Sequence, residues 1–252
     1  MVPYFEVPAW RIGSFTLHPF GLLVGIAIAT AYFMARARAA RCGLSQASIS
    51  HILLWMLIPG FIAAHMTLMI IEQWPQVAVD PLLLIWPLRG IRSFGGLLGG
   101  MLGAVVAIRR LRLTAAEAWK YLDGLAFVFP FAWAIGRMGC ALAHDHVGRA
   151  STSWLAVRFP VGPRYDLGLV EMLFALLLGV LFLSLDRRAR APGFYFALFF
   201  LVYGLFRVWL DGLHESPPRL GPLTYDEWGG WIAALAGGAI FATFPSPRQR
   251  AR

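Results

Sequence analysis

Two short stretches hold most of the side chains able to do chemistry. The run Gly136-Arg137-Met138-Gly139-Cys140-Ala141-Leu142-Ala143-His144-Asp145-His146-Val147-Gly148-Arg149 brings together two arginines, two histidines, a carboxylate and a thiol. Such a density of titratable groups marks a candidate site. In Tyr203-Gly204-Leu205-Phe206-Arg207-Val208-Trp209-Leu210-Asp211, the guanidinium of Arg207 and the carboxylate of Asp211 are four residues apart and share one helix face. A guanidinium is a planar fork suited to phosphate oxygens. Plainer uses exist for both stretches: Arg207 and Asp211 can form a buried ion pair, and Arg137 can be a snorkelling anchor at a helix end. His144-Asp145-His146 suggests a metal, but its side chains alternate in direction on an extended chain. No third strong ligand follows at a typical spacing, so neither a metal nor a cofactor is expected.

The elements that hold these residues follow from composition. Of the 252 residues, 59% are hydrophobic and 14% charged, against about 45–50% and about 25% in an ordinary soluble domain. Too few polar side chains remain to cover a globule. The net charge of +9 would suit a soluble nucleic-acid binder, but the hydrophobicity excludes one, and no nucleic-acid partner is expected. Two cysteines exclude a disulfide scaffold. Abundant Leu, Ile, Val and Phe exclude disorder. Seven stretches approach the roughly 20 apolar residues that a membrane-crossing helix needs: 18–35, 50–71, 94–108, 118–136, 167–185, 193–210 and 228–244. The expected fold is all-α, a polytopic membrane protein whose seven transmembrane helices form one domain over 1–252. The first stretch reads as a mature helix, since Arg36, Arg38 and Arg41 follow it rather than a small-residue cleavage site. A retinal-type seven-helix sensor would need a lysine in its last helix, and the only lysine is Lys120.

The arginines give the orientation. Arg36, Arg38 and Arg41 follow the first span and Arg109, Arg110 and Arg112 the third; Arg187, Arg188 and Arg190 follow the fifth, and Arg248, Arg250 and Arg252 the seventh. All four clusters lie on one side of seven alternating helices, which the positive-inside rule makes cytoplasmic. The N-terminus is then outside and the C-terminus inside. The arm 1–17 and the loops 72–93 and 137–166 fall on the outer face, and the basic tail 245–252 in the cytoplasm. Pro81 to Pro87 is too short to span and reads as an outer interfacial segment. Cys42 and Cys140 fall on opposite sides, too far apart for a disulfide. His18, His65 and Glu171, polar groups within or beside spans, read first as satisfied bundle residues. The stripe Gly95, Gly96, Gly99, Gly100 and Gly103 reads as close helix packing, compatible with a backbone surface against which a lipid can lie.

At these residues the sequence resembles the prolipoprotein diacylglyceryl transferase family, from His18-Pro19-Phe20-Gly21 through the last span. The resemblance is carried by Gly136-Arg137-Met138-Gly139-Cys140 with Gly148-Arg149, and by Tyr203-Gly204-Leu205-Phe206-Arg207 with an acid four residues on. Phe94-Gly95-Gly96-Leu97 and Asp166-Leu167-Gly168-Leu169-Val170-Glu171 support it. It implies an enzyme of the bacterial inner membrane with its active site on the periplasmic side. The implied reaction moves the diacylglyceryl group of phosphatidylglycerol to the lipobox cysteine of a preprolipoprotein signal peptide and releases glycerol phosphate. By the resemblance Arg137 and Arg207 clamp the phosphate, Asp211 orients Arg207, and Asp145 is a further catalytic acid. Arg149, His18, Gly95, Gly96, Cys140, Gly148 and Glu171 would complete the substrate-binding set. Fixed cations are the right stabilisers for a phosphate leaving group whose charge grows in the transition state.

The sequence also departs from the family pattern. Phe94 stands where the family usually has a histidine, Phe20 where it has a tyrosine, Tyr165 where it has a histidine and His214 where it has an arginine; Cys140 stands where some members have asparagine. His144, His146 and His214 are the remaining candidates for the base that a thiol of ordinary pKa, about 8.5, requires. Two functions stay open: an active transferase, and a paralogue that keeps the phospholipid pocket but uses another acceptor or serves as an accessory membrane protein.

Overall fold

The computed structural model describes residues 1–5, 7–13, 15–71, 73–85, 93–215, 217 and 219–244. The tail 245–252 and part of the loop 72–93 therefore lie outside the described residues, as do the side chains of Ser93 and Phe94. The chain is mostly helical: α1 Pro19–Arg41, α2 Gln46–Ile71, α3 Trp74–Val79, α4 Ser93–Arg110, α5 Ala115–Ala143, α6 Leu167–Leu185, α7 Phe194–Asp211 and α8 Tyr225–Ala242, with a 3-10 turn at Pro81–Ile85. Five of these, α1, α2, α5, α6 and α7, are long and apolar enough to cross a membrane. Apolar runs of this kind fold as helices because in lipid a helix satisfies its own backbone hydrogen bonds.

Two expectations need correction. Residues 137–166 are not all loop: α5 runs on through Arg137 and Cys140 to Ala143. The polar residues there do not end the helix because their side chains find partners inside it and on its neighbours. Nor is the fold purely α. Strands β1 Val2–Pro3, β2 Trp10–Ile12, β3 Phe15–Leu17, β4 Val147–Ala150, β5 Val157–Phe159, β6 Gly162–Asp166, β7 Arg219–Leu220 and β8 Leu223–Thr224 fill the polar connections. One sheet has the order β1-β5-β6-β4, with β1 parallel to β5 and the other pairs antiparallel; β2-β3 and β7-β8 are separate hairpins. A connection this long has backbone donors and acceptors to satisfy, and strand pairing does so.

The described chain divides into two compact units, Met1–Met34 with Leu122–Arg252, and Ala35–Tyr121. In the second, α4 lies directly on α2 through the glycine stripe. A Cβ on Gly95 would come within 2.5 Å of the Ala63 carbonyl, and one on Gly99 or Gly103 would strike the backbone of Pro59 or Trp55. Small residues thus let the two backbones approach. Gly95 and Gly96 turn the space a side chain would fill toward α2, so close helix packing accounts for them. His65 is a satisfied bundle residue, its ring Nε2 3.1 Å from the Leu83 carbonyl oxygen.

In the first unit the positions of α6, α7 and α8 are set at their N-termini. Asp166 caps α6 by accepting from the Leu169 N–H at 3.0 Å. Helix α7 begins after Gly193, which adopts a φ of 91° and offers no side-chain cap. Asp123 of α5 substitutes, its carboxylate accepting from the Tyr195 N–H at 2.6 Å and the Phe196 N–H at 3.1 Å. Helix α8 opens with a capping box in which Thr224 and Glu227 satisfy each other's backbone N–H. It packs on α7 so closely that a Cβ on Gly204 would meet the Gly230 carbonyl and the Ala234 N–H at 2.5 Å.

Candidate active site

The side chain that organises the first unit's polar cluster is Glu171, 1% exposed in the first turns of α6. Its Oε1 accepts hydrogen bonds from the indole N–H of Trp133 (α5) and the hydroxyl of Tyr203 (α7), each at 3.1 Å. Its Oε2 lies 2.9 Å from Arg137 Nε and 3.8 Å from Arg207 Nη1. One carboxylate therefore ties α5, α6 and α7 together and stands between two guanidinium groups. Burying an acid at this depth is tolerable only because it is paired and hydrogen-bonded at once. These contacts meet the expectation that Glu171 is a satisfied bundle residue.

Each arginine has its own support. The Arg137 guanidinium lies 4.7 Å from the centre of the Trp133 ring, one helical turn back on α5, a cation–π contact strengthened by burial. Arg137 Nη1 also lies 3.8 Å from Cys140 Sγ. Arg207 Nη2 reaches across to α8 and pairs with Asp226 Oδ2 at 2.7 Å. The expected pairing of Arg207 with Asp211 is corrected by these contacts. Asp211 instead accepts a hydrogen bond from the Thr224 hydroxyl at 2.7 Å, and its other oxygen lies 3.4 Å from His214 Nδ1. Sharing a helix face allows two side chains to meet, but α8 offers each a better partner. Asp211 holds the start of α8, and Asp226 holds Arg207.

The other expected residues are placed as follows. Asp145 and His146 are exposed just beyond α5, 3.5 Å apart. Arg149 is exposed on β4 and lines a cleft with Ser151, Thr152, Pro163 and Tyr165. Gly148 is buried, and a Cβ there would come 2.6 Å from the Leu213 carbonyl. His18 is exposed at the entry to α1. On the same helix Phe20 packs on α5, 3.2 Å from where a Cβ on Gly139 would stand. Gly95 and Gly96 belong to the other unit.

Of the three histidines, His144 has both ring nitrogens engaged by acceptors. Its Nδ1 is 2.6 Å from Asp166 Oδ2 and its Nε2 3.1 Å from the Phe5 carbonyl. Burial pushes the Asp166 carboxyl above the usual aspartate range, against the opposing pull of its hydrogen bonds from His144 and the Leu169 N–H. His144 is thus a fastener between the N-terminal arm and the cap of α6. Burial, helped by the Arg207 charge, lowers the His214 pKa below that of an ordinary histidine, while Asp211 and Asp226 pull it back. Of these three, His214 is the one whose pKa is lowered, with the Arg207 charge among the causes. Cys140, Asp145 and His146 bring one ligand atom each to within 4.8 Å of one another, a set with the donors to hold a divalent cation. The Arg137 guanidinium on the same sulfur opposes a second positive charge there.

Trp133, Tyr203 and Asp226 were not among the expected site residues. The first two carried a readable signal, since each lies four residues before its arginine on the same helix. Asp226 carried none, because it reaches Arg207 only through the packing of α8 on α7. Arg164 was also missed: it donates to the Gly148 carbonyl at 2.9 Å and forms an ion pair with Glu215.

The geometry offers one buried and one partly buried cation, Arg137 and Arg207, from α5 and α7, held by carboxylates and, for Arg137, by an aromatic face. Such an arrangement can hold a phosphate and stabilise charge developing on it. The family model described as prolipoprotein diacylglyceryl transferase matches residues 8–243. Among similar proteins is the phosphatidylglycerol--prolipoprotein diacylglyceryl transferase of Chromohalobacter salexigens, 28% identical over 231 residues, covering 89% of this chain and 85% of that protein. The proteins of the same name from Staphylococcus carnosus and Symbiobacterium thermophilum are 32% identical over 155 residues (60% and 54% covered) and 24% identical over 257 residues (97% and 94% covered).

Proposed function

This chain belongs to the prolipoprotein diacylglyceryl transferase family, and from that premise we propose that it moves the diacylglyceryl group of phosphatidylglycerol onto the lipobox cysteine of a preprolipoprotein. The new bond joins the cysteine sulfur to the glycerol carbon; the bond that breaks frees glycerol phosphate, and the thiol proton passes to a base. The chain is a transferase and a multi-pass membrane protein. Its seat is the bacterial inner membrane, with seven spans, the N-terminus and active site toward the periplasm and the arginine-rich ends in the cytoplasm.

One observation carries the reading: Arg137 and Arg207, from α5 and α7, converge on Glu171. Arg137 and Arg207 bind the phosphodiester and take up the charge that grows on the leaving phosphate. Glu171, with Trp133 and Tyr203, holds the two guanidinium groups in register so that no reorganisation is needed as that charge develops. His214 is the base we favour, because burial and the Arg207 charge hold its pKa below that of an ordinary histidine. Asp145 and Arg149, exposed beyond α5, are assigned to the acceptor side of the site.

Replacing either Arg137 or Arg207 by Ala is expected to abolish transfer from phosphatidylglycerol to a lipobox peptide while the protein still inserts in the membrane. Retention of near-wild-type activity by both variants would remove the clamp. Phe94, standing where the family has a histidine, favours a second reading in which the phospholipid pocket serves another acceptor or an accessory role. Complementation of a strain depleted of its own transferase separates the two. Growth supports the enzyme, and failure despite good membrane expression supports the paralogue.

A further inference from the structure

We propose that Asp226 is a displaceable carboxylate, which holds Arg207 until the phosphate of an anionic lipid takes its place. The inference rests on the reading of Arg137 and Arg207 as a phosphate clamp. It begins from a charge count. The cluster contains two guanidinium groups, and two carboxylates, Glu171 and Asp226, already pair with them. A phosphodiester monoanion approaching this neutral set finds no net positive charge unless one carboxylate withdraws.

The two carboxylates are not equally able to do so. The Glu171 side chain is 1% exposed and is held by Trp133, Tyr203 and Arg137 from two other helices. Removing it would take away the acceptor that the Trp133 indole and the Tyr203 hydroxyl share. The Asp226 side chain is 22% exposed and pairs with Arg207 at 2.7 Å. Turning it toward water costs one partly solvated ion pair, typically the weaker kind. The backbone beneath it stays in place, because Gly204 and Gly230 lock α7 against α8 and the capping box of Thr224 and Glu227 fixes the first turn. The exchange thus needs only a side-chain rotation. Arg207 is kept extended and paired while no lipid is bound, and its Nη2 edge becomes the phosphate-binding edge when Asp226 leaves.

Asp226 acts on the lipid through Arg207, so it is a positioning residue, and its removal has an unusual sign: binding should improve. The test uses the full-length protein in nanodiscs of phosphatidylcholine containing graded phosphatidylglycerol, with equilibrium lipid binding as the readout. Asp226→Asn and Asp226→Ala are each expected to bind phosphatidylglycerol roughly three- to tenfold more tightly than the wild type, a gain of about 0.7–1.4 kcal/mol at tenfold per 1.4 kcal/mol. Phosphatidylcholine binding should not change. A parallel titration with soluble glycerol phosphate distinguishes a free phosphate from a lipid headgroup. Unchanged or weaker phosphatidylglycerol binding in both variants would overturn the proposal. So would tightening confined to soluble glycerol phosphate, or equal tightening toward phosphatidylcholine. A residue needed only for folding would weaken binding, so misfolding cannot mimic the expected result. The measurement does not require turnover. Absence of transfer by the wild type would defeat the proposed reaction yet leave this outcome readable.

Discussion

At the residue scale, the informative side chains are those whose burial makes sense only in groups. Arg137, Arg207 and Glu171 would each be costly alone in an apolar bundle; together with Asp226 their charges balance and leave a compact site. Removing the shared carboxylate leaves the buried Arg137 and the partly buried Arg207 with less compensation. Glu171→Gln should therefore lower stability by about 3 kcal/mol, in line with breaking a buried ion pair, as well as reduce transfer. Thermal unfolding in detergent micelles measures the first effect. His214 makes a second prediction. Its folded pKa lies below the ordinary 6.5, so as pH falls through about 6.5 the unfolded chain takes up a proton before the folded chain does. Stability should drop between neutral pH and the lowered folded value, and His214→Gln should flatten that drop. Unfolding midpoints at pH 7.5 and 5.5 compare the two proteins. An identical pH response in both would dismiss the depressed imidazole.

Individual helices are positioned by contacts at their ends. Asp123 in α5 caps the N-terminus of α7 from outside that helix, so one carboxylate sets the height of the helix that carries Tyr203 and Arg207. Asp123→Ala removes the hydrogen bonds that Asp123 accepts from the Tyr195 and Phe196 N–H groups and should destabilise the protein by about 1–2 kcal/mol, the scale of a lost cap. If the cap also sets the height of Arg207, transfer should fall further than the change in folded population explains. Measuring both on one preparation checks this. The glycine stripe of α4 and the Gly204–Gly230 crossing work by a different device, the omission of side chains so that backbones touch. Helix ends and small-residue stripes are visible in a sequence. Which neighbour they meet is not, and Asp123, sitting amid an apolar run, gave no hint that its partner was the start of α7.

For the whole molecule, the charge distribution is the property to test. The proposed topology places Cys42, exposed in the connection after α1, in the cytoplasm, and Thr152, exposed between β4 and β5, in the periplasm. A membrane-impermeant maleimide should label Thr152→Cys in intact spheroplasts, and Cys42 only after permeabilisation. The reverse order would invert the molecule. By itself the sequence determined the mostly helical membrane architecture, since apolar length and arginine spacing are one-dimensional properties that a bilayer reads directly. It also pointed to Arg137 and Arg207, because charges in apolar runs stand out. It could not determine the partners. Arg207 and Asp211 looked like a pair by helical spacing, yet the packing of α8 on α7 gave Asp211 to Thr224 and Arg207 to Asp226. Likewise the strands of the connection between α5 and α6 arise from pairing between segments as distant as Val2 and Val157. Partner choice depends on which helix faces touch, and that is settled by tertiary packing, where a buried charge takes the best-oriented counter-charge rather than the nearest one along the chain.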